Sequence, residues 1–95
     1  MKTTDVVIRS KSAGVFAGRL LSKDGQEVKL ANARRLWYWS GASSLSQLSQ
    51  EGVSNPNNCK FPMEVPEITI LEVIEIIPMS ESAKKSIDSV PIWKS

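Results

Sequence analysis

The chain has no histidine and only one cysteine, Cys59. Without histidine, the usual zinc ligand sets and every His-based catalytic triad are excluded, and a lone cysteine excludes an internal disulfide framework. Cys59 therefore reads as a reduced, non-catalytic thiol with no imidazole to activate it. Long apolar runs are missing as well. The most hydrophobic stretch, Ile68 to Ile77, is interrupted by Glu72 and Glu75, and it falls short of the roughly 20 residues that a spanning helix needs. Met1 to Ser10 has just three consecutive apolar residues and lacks the apolar centre of a secretory signal, so a cytoplasmic location is expected. Gly14 and Gly18 sit in strand-like sequence and not in a glycine cluster before a helix, which removes phosphate-binding loops. Neither metal, cofactor nor membrane is expected.

What remains is material for one small domain, residues 1–95. A chain of 95 residues with 41% hydrophobic and 23% charged residues supports one core and folds as an ordinary soluble unit. The formal net charge of +2 is unevenly divided: residues 1–41 carry eight basic and three acidic side chains, and residues 42–95 carry four and seven. Such asymmetry suits an anionic-ligand surface, self-association between opposite patches, or simply a solvated face. Acid/base chemistry is left to carboxylates alone. Glu72 and Glu75, at odd spacing on a strand, point to opposite faces and make a poor cooperating pair. The chain thus reads as non-enzymatic.

Val6-Val7-Ile8 predicts a first strand, and Asp24-Gly25 predicts a hairpin joining Gly14 through Leu21 to Glu27 through Leu30. A three-residue loop, Lys23-Asp24-Gly25, would set Leu20 opposite Val28 and Gly18 opposite Leu30. Phe16 then shares their apolar face, and Arg19 faces Lys29 outside. Arg34 through Trp39 reads as a further strand of the meander. Ser44 followed by Gln47 predicts a helix of about two turns. Gly52-Val53 would close it, with Val53 against Leu48. Residues 54–62 read as a loop pinned by Phe61. In Glu67 to Ile77, Glu72 lands on the face of Ile68, Ile70, Ile74 and Ile76. A bend near Leu71-Glu72 would turn it away and let one strand serve two parts of a curved sheet. Ser80 is the expected N-cap of a helix over Glu81 to Asp88. Past Pro91, Ile92-Trp93 is expected to pack back as an apolar clasp. The fold class is mainly β, α+β: a strongly bent antiparallel sheet or small SH3-like barrel with two short helices.

Among these elements only Arg34-Arg35-Leu36-Trp37-Tyr38-Trp39 offers a recognition surface. On a strand, Arg35, Trp37 and Trp39 project one way and Arg34, Leu36 and Tyr38 the other. Three large aromatics cannot all be core by alternation. Either two of them close the end of a small barrel, or the Arg and Trp stripe is exposed and anchors a protein, a second copy or stacked bases. The candidate binding residues are Arg34, Arg35, Trp37, Trp39 and Lys60.

Gly14-Val15-Phe16-Ala17-Gly18, Asn32 through Gly41, Cys59-Lys60-Phe61-Pro62, Val65-Pro66 through Ile77 and Val90-Pro91-Ile92-Trp93 together look like a small family of uncharacterised proteins carried mainly by tailed bacteriophages and prophages. The likeness spans nearly the whole chain. It implies a phage accessory protein in the host bacterial cytoplasm that binds and neutralises a host component. The expected partner is a host protein or small nucleotide ligand: a bacterial anti-phage defence factor or its nucleotide signal. Gly14 to Tyr38, with its Phe-x-Gly-x-Leu, Asp-Gly and Val-x-Leu pattern, is more weakly similar to Sm-like ring proteins. That similarity implies an RNA or DNA binder as the alternative, and a virion or assembly component is the third reading. Exposed sheet edges and oppositely charged halves lead to the expectation of a homo-oligomer.

Overall fold

The computed structural model describes residues 4–93, so the first three positions of the N-terminal reading lie outside the described residues. The elements run β1 (Asp5–Ser10), β2 (Gly14–Asp24), β3 (Glu27–Arg35), α1 (Leu45–Glu51), a single 3₁₀ turn (Pro56–Asn58), β4 (Val65–Ile70), β5 (Val73–Pro78) and α2 (Glu81–Asp88). The strands form one antiparallel sheet in the order β4-β3-β2-β1-β5. Its two outer strands are neighbours in sequence. Only Leu71 and Glu72 separate them, with Glu72 in the left-handed region at φ 56°. The expected bend is therefore where the parity conflict placed it. The N-terminal half of the stretch pairs with β3 and the C-terminal half with β1. Among the described residues β4 and β5 do not pair with each other, so the sheet is strongly bent but open, not a closed SH3-like barrel.

Neighbouring turns hold the bend. Ser10 Oγ donates to the Leu71 carbonyl at 2.7 Å and Lys11 N–H to the Glu72 carbonyl at 2.9 Å. Val73 N–H reaches the Gln26 carbonyl in the β2–β3 turn at 2.9 Å. These bonds satisfy backbone groups that a break in the ladder would otherwise leave unpaired. Because the sheet is covered on both faces, Val6, Val7 and Ile8 are all buried. Val6 and Ile8 join Phe16, Val28, Leu30, Ile70 and Val73 in an inner core enclosed by the bend. Val7 joins Ala17, Leu36, Leu48, Phe61, Ile87 and Val90 under the helices.

The hairpin departs from the expected register. Asp24 pairs with Glu27, leaving Gly25-Gln26 as a two-residue turn with Gly25 at φ 60°. That is how a glycine serves as the first central residue of a II′ turn. Two bulges then repair the faces that such a turn would mix. Leu21 is the extra residue on β2, between Leu20↔Leu30 and Ser22↔Lys29, and lies exposed. Asn32, at φ 50°, is the extra residue on β3, between Arg19↔Ala31 and Ala17↔Arg34. Leu20 thus faces Leu30 and not Val28, and Arg19 faces Ala31 and not Lys29, yet Phe16, Leu20, Val28 and Leu30 keep one apolar face. β3 runs through Asn32 to Arg35, so Arg34 through Trp39 is not a separate strand. Within residues 36–39 Tyr38 alone makes a bridge, to Lys60.

Both helices are capped by the expected serines. Ser44 Oγ accepts from Gln47 N–H at 3.1 Å, and Ser80 Oγ from Ala83 N–H at 3.0 Å. Gln47 Oε1 reaches back one residue further than a capping box requires, to Ser43 N–H at 2.9 Å. Gly52 ends α1 at φ 75°, its N–H bonded to the Leu48 carbonyl. There it meets α2: a Cβ on Gly52 would collide with the Ser86 side chain. Ser86 Oγ in turn accepts from Val53 N–H at 2.9 Å and donates to the Val53 carbonyl at 3.0 Å. Gly52→Ala is therefore expected to cost about 2–4 kcal/mol, combining left-handed strain with overpacking. Ser86→Ala should cost roughly 1–2 kcal/mol. Urea denaturation of both variants checks the order.

Candidate functional site

Arg34 is buried, at 7% exposure, and its guanidinium is spent inside the molecule. Nε donates to the Pro62 carbonyl at 3.1 Å and Nη1 to Ile87 at 3.0 Å. Nη2 reaches the carbonyls of Phe61 at 3.1 Å, Val90 at 2.7 Å and Pro91 at 3.1 Å. The charge also lies 5.4 Å from the centre of the Phe61 ring. Burial pushes the guanidinium below its usual range, with Asp88 and Glu64 pulling the other way. In the structure Arg34 is a tie between β3, the loop before β4, the end of α2 and the C-terminal tail, and not part of an exposed stripe.

Its neighbour Arg35 points to the opposite face. It lies 4.5 Å above the Phe16 ring and donates from Nη1 to the Ala13 carbonyl at 2.9 Å, covering the end of the inner core. Arg34 and Leu36 are buried on the helix-covered side and Arg35 and Trp37 are exposed, as alternation predicts, but the pattern fails once the ladder stops. Tyr38, expected to share a side with Arg34 and Leu36, is 52% exposed, whereas Trp39, expected to share one with Trp37, is half-buried against the core under the helices. The arrangement in which two of the three aromatics close the core is therefore not what forms. Trp37, at 65% exposure, is among the most open large side chains.

A second surface group comes from the two segments that Arg34 ties down. Lys60 N–H donates to the Tyr38 carbonyl at 2.7 Å, and Trp37 N–H donates to the Lys60 carbonyl at 3.2 Å. Pairing sets Tyr38 and Lys60 side by side, with Lys60 Nζ 6.0 Å from the Tyr38 ring centre and 5.7 Å from that of Trp93. The ammonium thus sits between two π-faces, at the range where cation–π attraction operates. Trp93 arrives through the C-terminal clasp: Ile92 bridges Phe61, and Trp93 N–H donates to the Phe61 carbonyl at 3.0 Å. The clasp holds by backbone bonds and by buried Val90, while the Ile92 and Trp93 side chains stay exposed. No carboxylate occurs from Val28 to Gln50 or from Gly52 to Met63, the segments that carry most of this surface.

Of the five candidate residues, the structure joins Trp37 and Lys60 through a backbone hydrogen bond and packs Trp39 partly against the core under the helices. Arg34 lies inside and Arg35 over the inner core. Tyr38 and Trp93 were missing from the candidate set. The signal for Trp93 was present in Pro91, which turns the tail back toward the Phe61 loop. Cys59 is buried, with Ser40 N–H 3.4 Å from its sulfur and the Asn55 carbonyl 3.4 Å away.

A bent five-strand sheet with two short helices defines the chain as a small α+β protein. The family model described as a domain of unknown function, DUF6948, matches residues 3–87, and the chain belongs to that family. No curated protein and no solved structure matches it. Within the described residues no helix is long and apolar enough to cross a membrane.

Two substitutions separate the tie from the surface. Arg34→Ala strands five carbonyls and should cost about 3 kcal/mol or more of stability. Trp37→Ala removes a side chain that is mostly in water already and should stay within about 1 kcal/mol of the wild type. Chemical denaturation of the two variants side by side reads the difference.

Proposed function

We propose that this chain is a non-enzymatic binding protein of phage origin. It acts in the host bacterial cytoplasm by occupying and neutralising a component of the host's anti-phage defence. The holding surface is the group Trp37, Tyr38, Lys60 and Trp93. One observation carries the reading: an indole 65% exposed beside an exposed phenol and a lysine set between two rings. Aromatic side chains of this kind dominate the energetics of interfaces, and their exposure has to be offset by a benefit elsewhere. The resemblance to phage-carried proteins supplies the biological half of the proposal.

Self-association belongs to the same reading, since β4 and β5 are the outer strands of an open sheet and outer strands are templates for pairing. A species of 10.5 kDa in light scattering at high protein concentration and low salt would reject it.

Purification of wild type, Trp37→Ala and Lys60→Ala from infected cells tests the surface. The wild type should retain a host defence component, and Trp37→Ala should hold it roughly 10- to 100-fold more weakly with its fold intact. Copurifying nucleic acid whose affinity falls steeply with salt would favour the Sm-like alternative instead. Equal retention by all three proteins would reject the surface.

A further inference from the structure

Exposed apolar side chains gather on the stretches of chain that flank Lys60. Among the described residues, six of the nine large apolar side chains that lie exposed come from residues 37–38, 63–65 and 92–93. The Tyr38–Lys60 and Phe61–Ile92 bridges join these stretches. Apolar groupings of this kind on a folded surface mark places where another molecule sits. Charge narrows what that molecule is. Arg34 is spent on carbonyls inside the protein and Arg35 lies over the Phe16 ring on the opposite face, so Lys60 is the cation of this group. Among the described residues Lys60 makes no ion pair, and Glu64, the nearest carboxylate in sequence, is not joined to it. Its ammonium meets only solvent and the faces of Tyr38 and Trp93. A partner that covers those two rings must cover Lys60 as well. Taking an ammonium out of water without an acceptor is costly, and ring faces offset only part of that cost. The partner therefore has to bring an anionic acceptor set among apolar side chains.

We propose that the occupant of this surface is a protein segment bearing a carboxylate flanked by apolar side chains. The carboxylate pairs with Lys60, and the flanking side chains lie on Trp37 and Trp93. The proposal rests on the reading of the aromatic group as a binding surface and adds the chemistry of what it holds. Nucleic acid is disfavoured because following its phosphates takes several cations along a groove, and Lys60 stands here without a second one among the described residues. A second copy docked about a two-fold axis through the group would bring Lys60 against Lys60. A cationic ligand would need the place between the two rings that Lys60 already fills.

Selection of a random-sequence peptide library on the immobilised full chain tests it. The wild type should enrich peptides with Asp or Glu beside aliphatic or aromatic residues. Lys60→Glu should enrich Lys or Arg in that place instead, and Lys60→Gln, a milder change should the reversed charge disturb the fold, should lose the acidic bias. Trp37→Ala should weaken enrichment altogether. In calorimetry, exchanging the carboxylates of a selected peptide for amides should weaken its binding to the wild type about tenfold or more, since a charge-assisted bond is lost. No enrichment on the wild type, enrichment without acidic residues, an acidic bias that survives in both Lys60 variants, full enrichment on Trp37→Ala, or displacement of the selected peptide by a single-stranded oligothymidylate at equal concentration would each overturn the proposal. Those results leave the recovery of a host component from infected cells standing, whereas an acidic selection with no host component recovered would sink the defence reading alone.

Discussion

The buried guanidinium of Arg34 is the interaction on which the exposed face depends. Burying a charge is costly unless its hydrogen bonds are replaced, and here carbonyl oxygens do that work in place of a carboxylate. The carbonyls belong to residues 27 to 57 positions away in sequence, so one side chain fixes the loop before β4, the end of α2 and the tail against β3. Lys60 precedes Phe61 directly and Trp93 follows Pro91 by two residues. Their meeting beside Tyr38 is therefore a consequence of where those carbonyls are held. A lysine at position 34 would keep the charge but not the planar fork that reaches several acceptors at once.

The sheet supplies the rigid side of this arrangement. Its bend at Leu71-Glu72 lets one stretch of chain close both edges of the inner core, and the Ser10 and Lys11 bonds keep the bend in place. With the inner face filled, the outer face is free to pack against α1, α2 and Phe61. Arg34 enters from that outer face, because the Asn32 bulge shifts β3 by one residue and sets Arg34 opposite Ala17. Without the bulge, alternation along β3 would turn it toward the inner core. The bulge thus links the hairpin's register to the exposed face.

Much of the fold was legible because its signals are local. Ser44 and Ser80 announce helix starts through their own side chains, and Gly52 announces a stop. The bend could be read from Glu72, a charged residue falling on an apolar face. The hairpin loop was misplaced because a two-residue turn followed by two bulges leaves the same apolar face as a longer loop without them, and alternation cannot tell the two apart. The site was only partly legible. Trp37 and Lys60 stood out by type, but Arg34 reads as a surface cation in any sequence pattern. Its burial is decided by carbonyls contributed from the other half of the chain, and no local rule reports them. Tyr38 and Trp39 exchanged places for a related reason: strand alternation stops applying once the ladder ends at Arg35.

Amide hydrogen exchange on Arg34→Lys, compared with the wild type under conditions where both are folded, tests most directly whether this one side chain organises the exposed face. Protection should fall at Trp37, Lys60, Val90 and Trp93, whose N–H groups bond within the segments that Arg34 ties together, while the amides of β1 between β2 and β5 keep theirs. Unchanged protection at Lys60 and Trp93 in the variant would contradict the account and show that the tail and loop are held independently of Arg34.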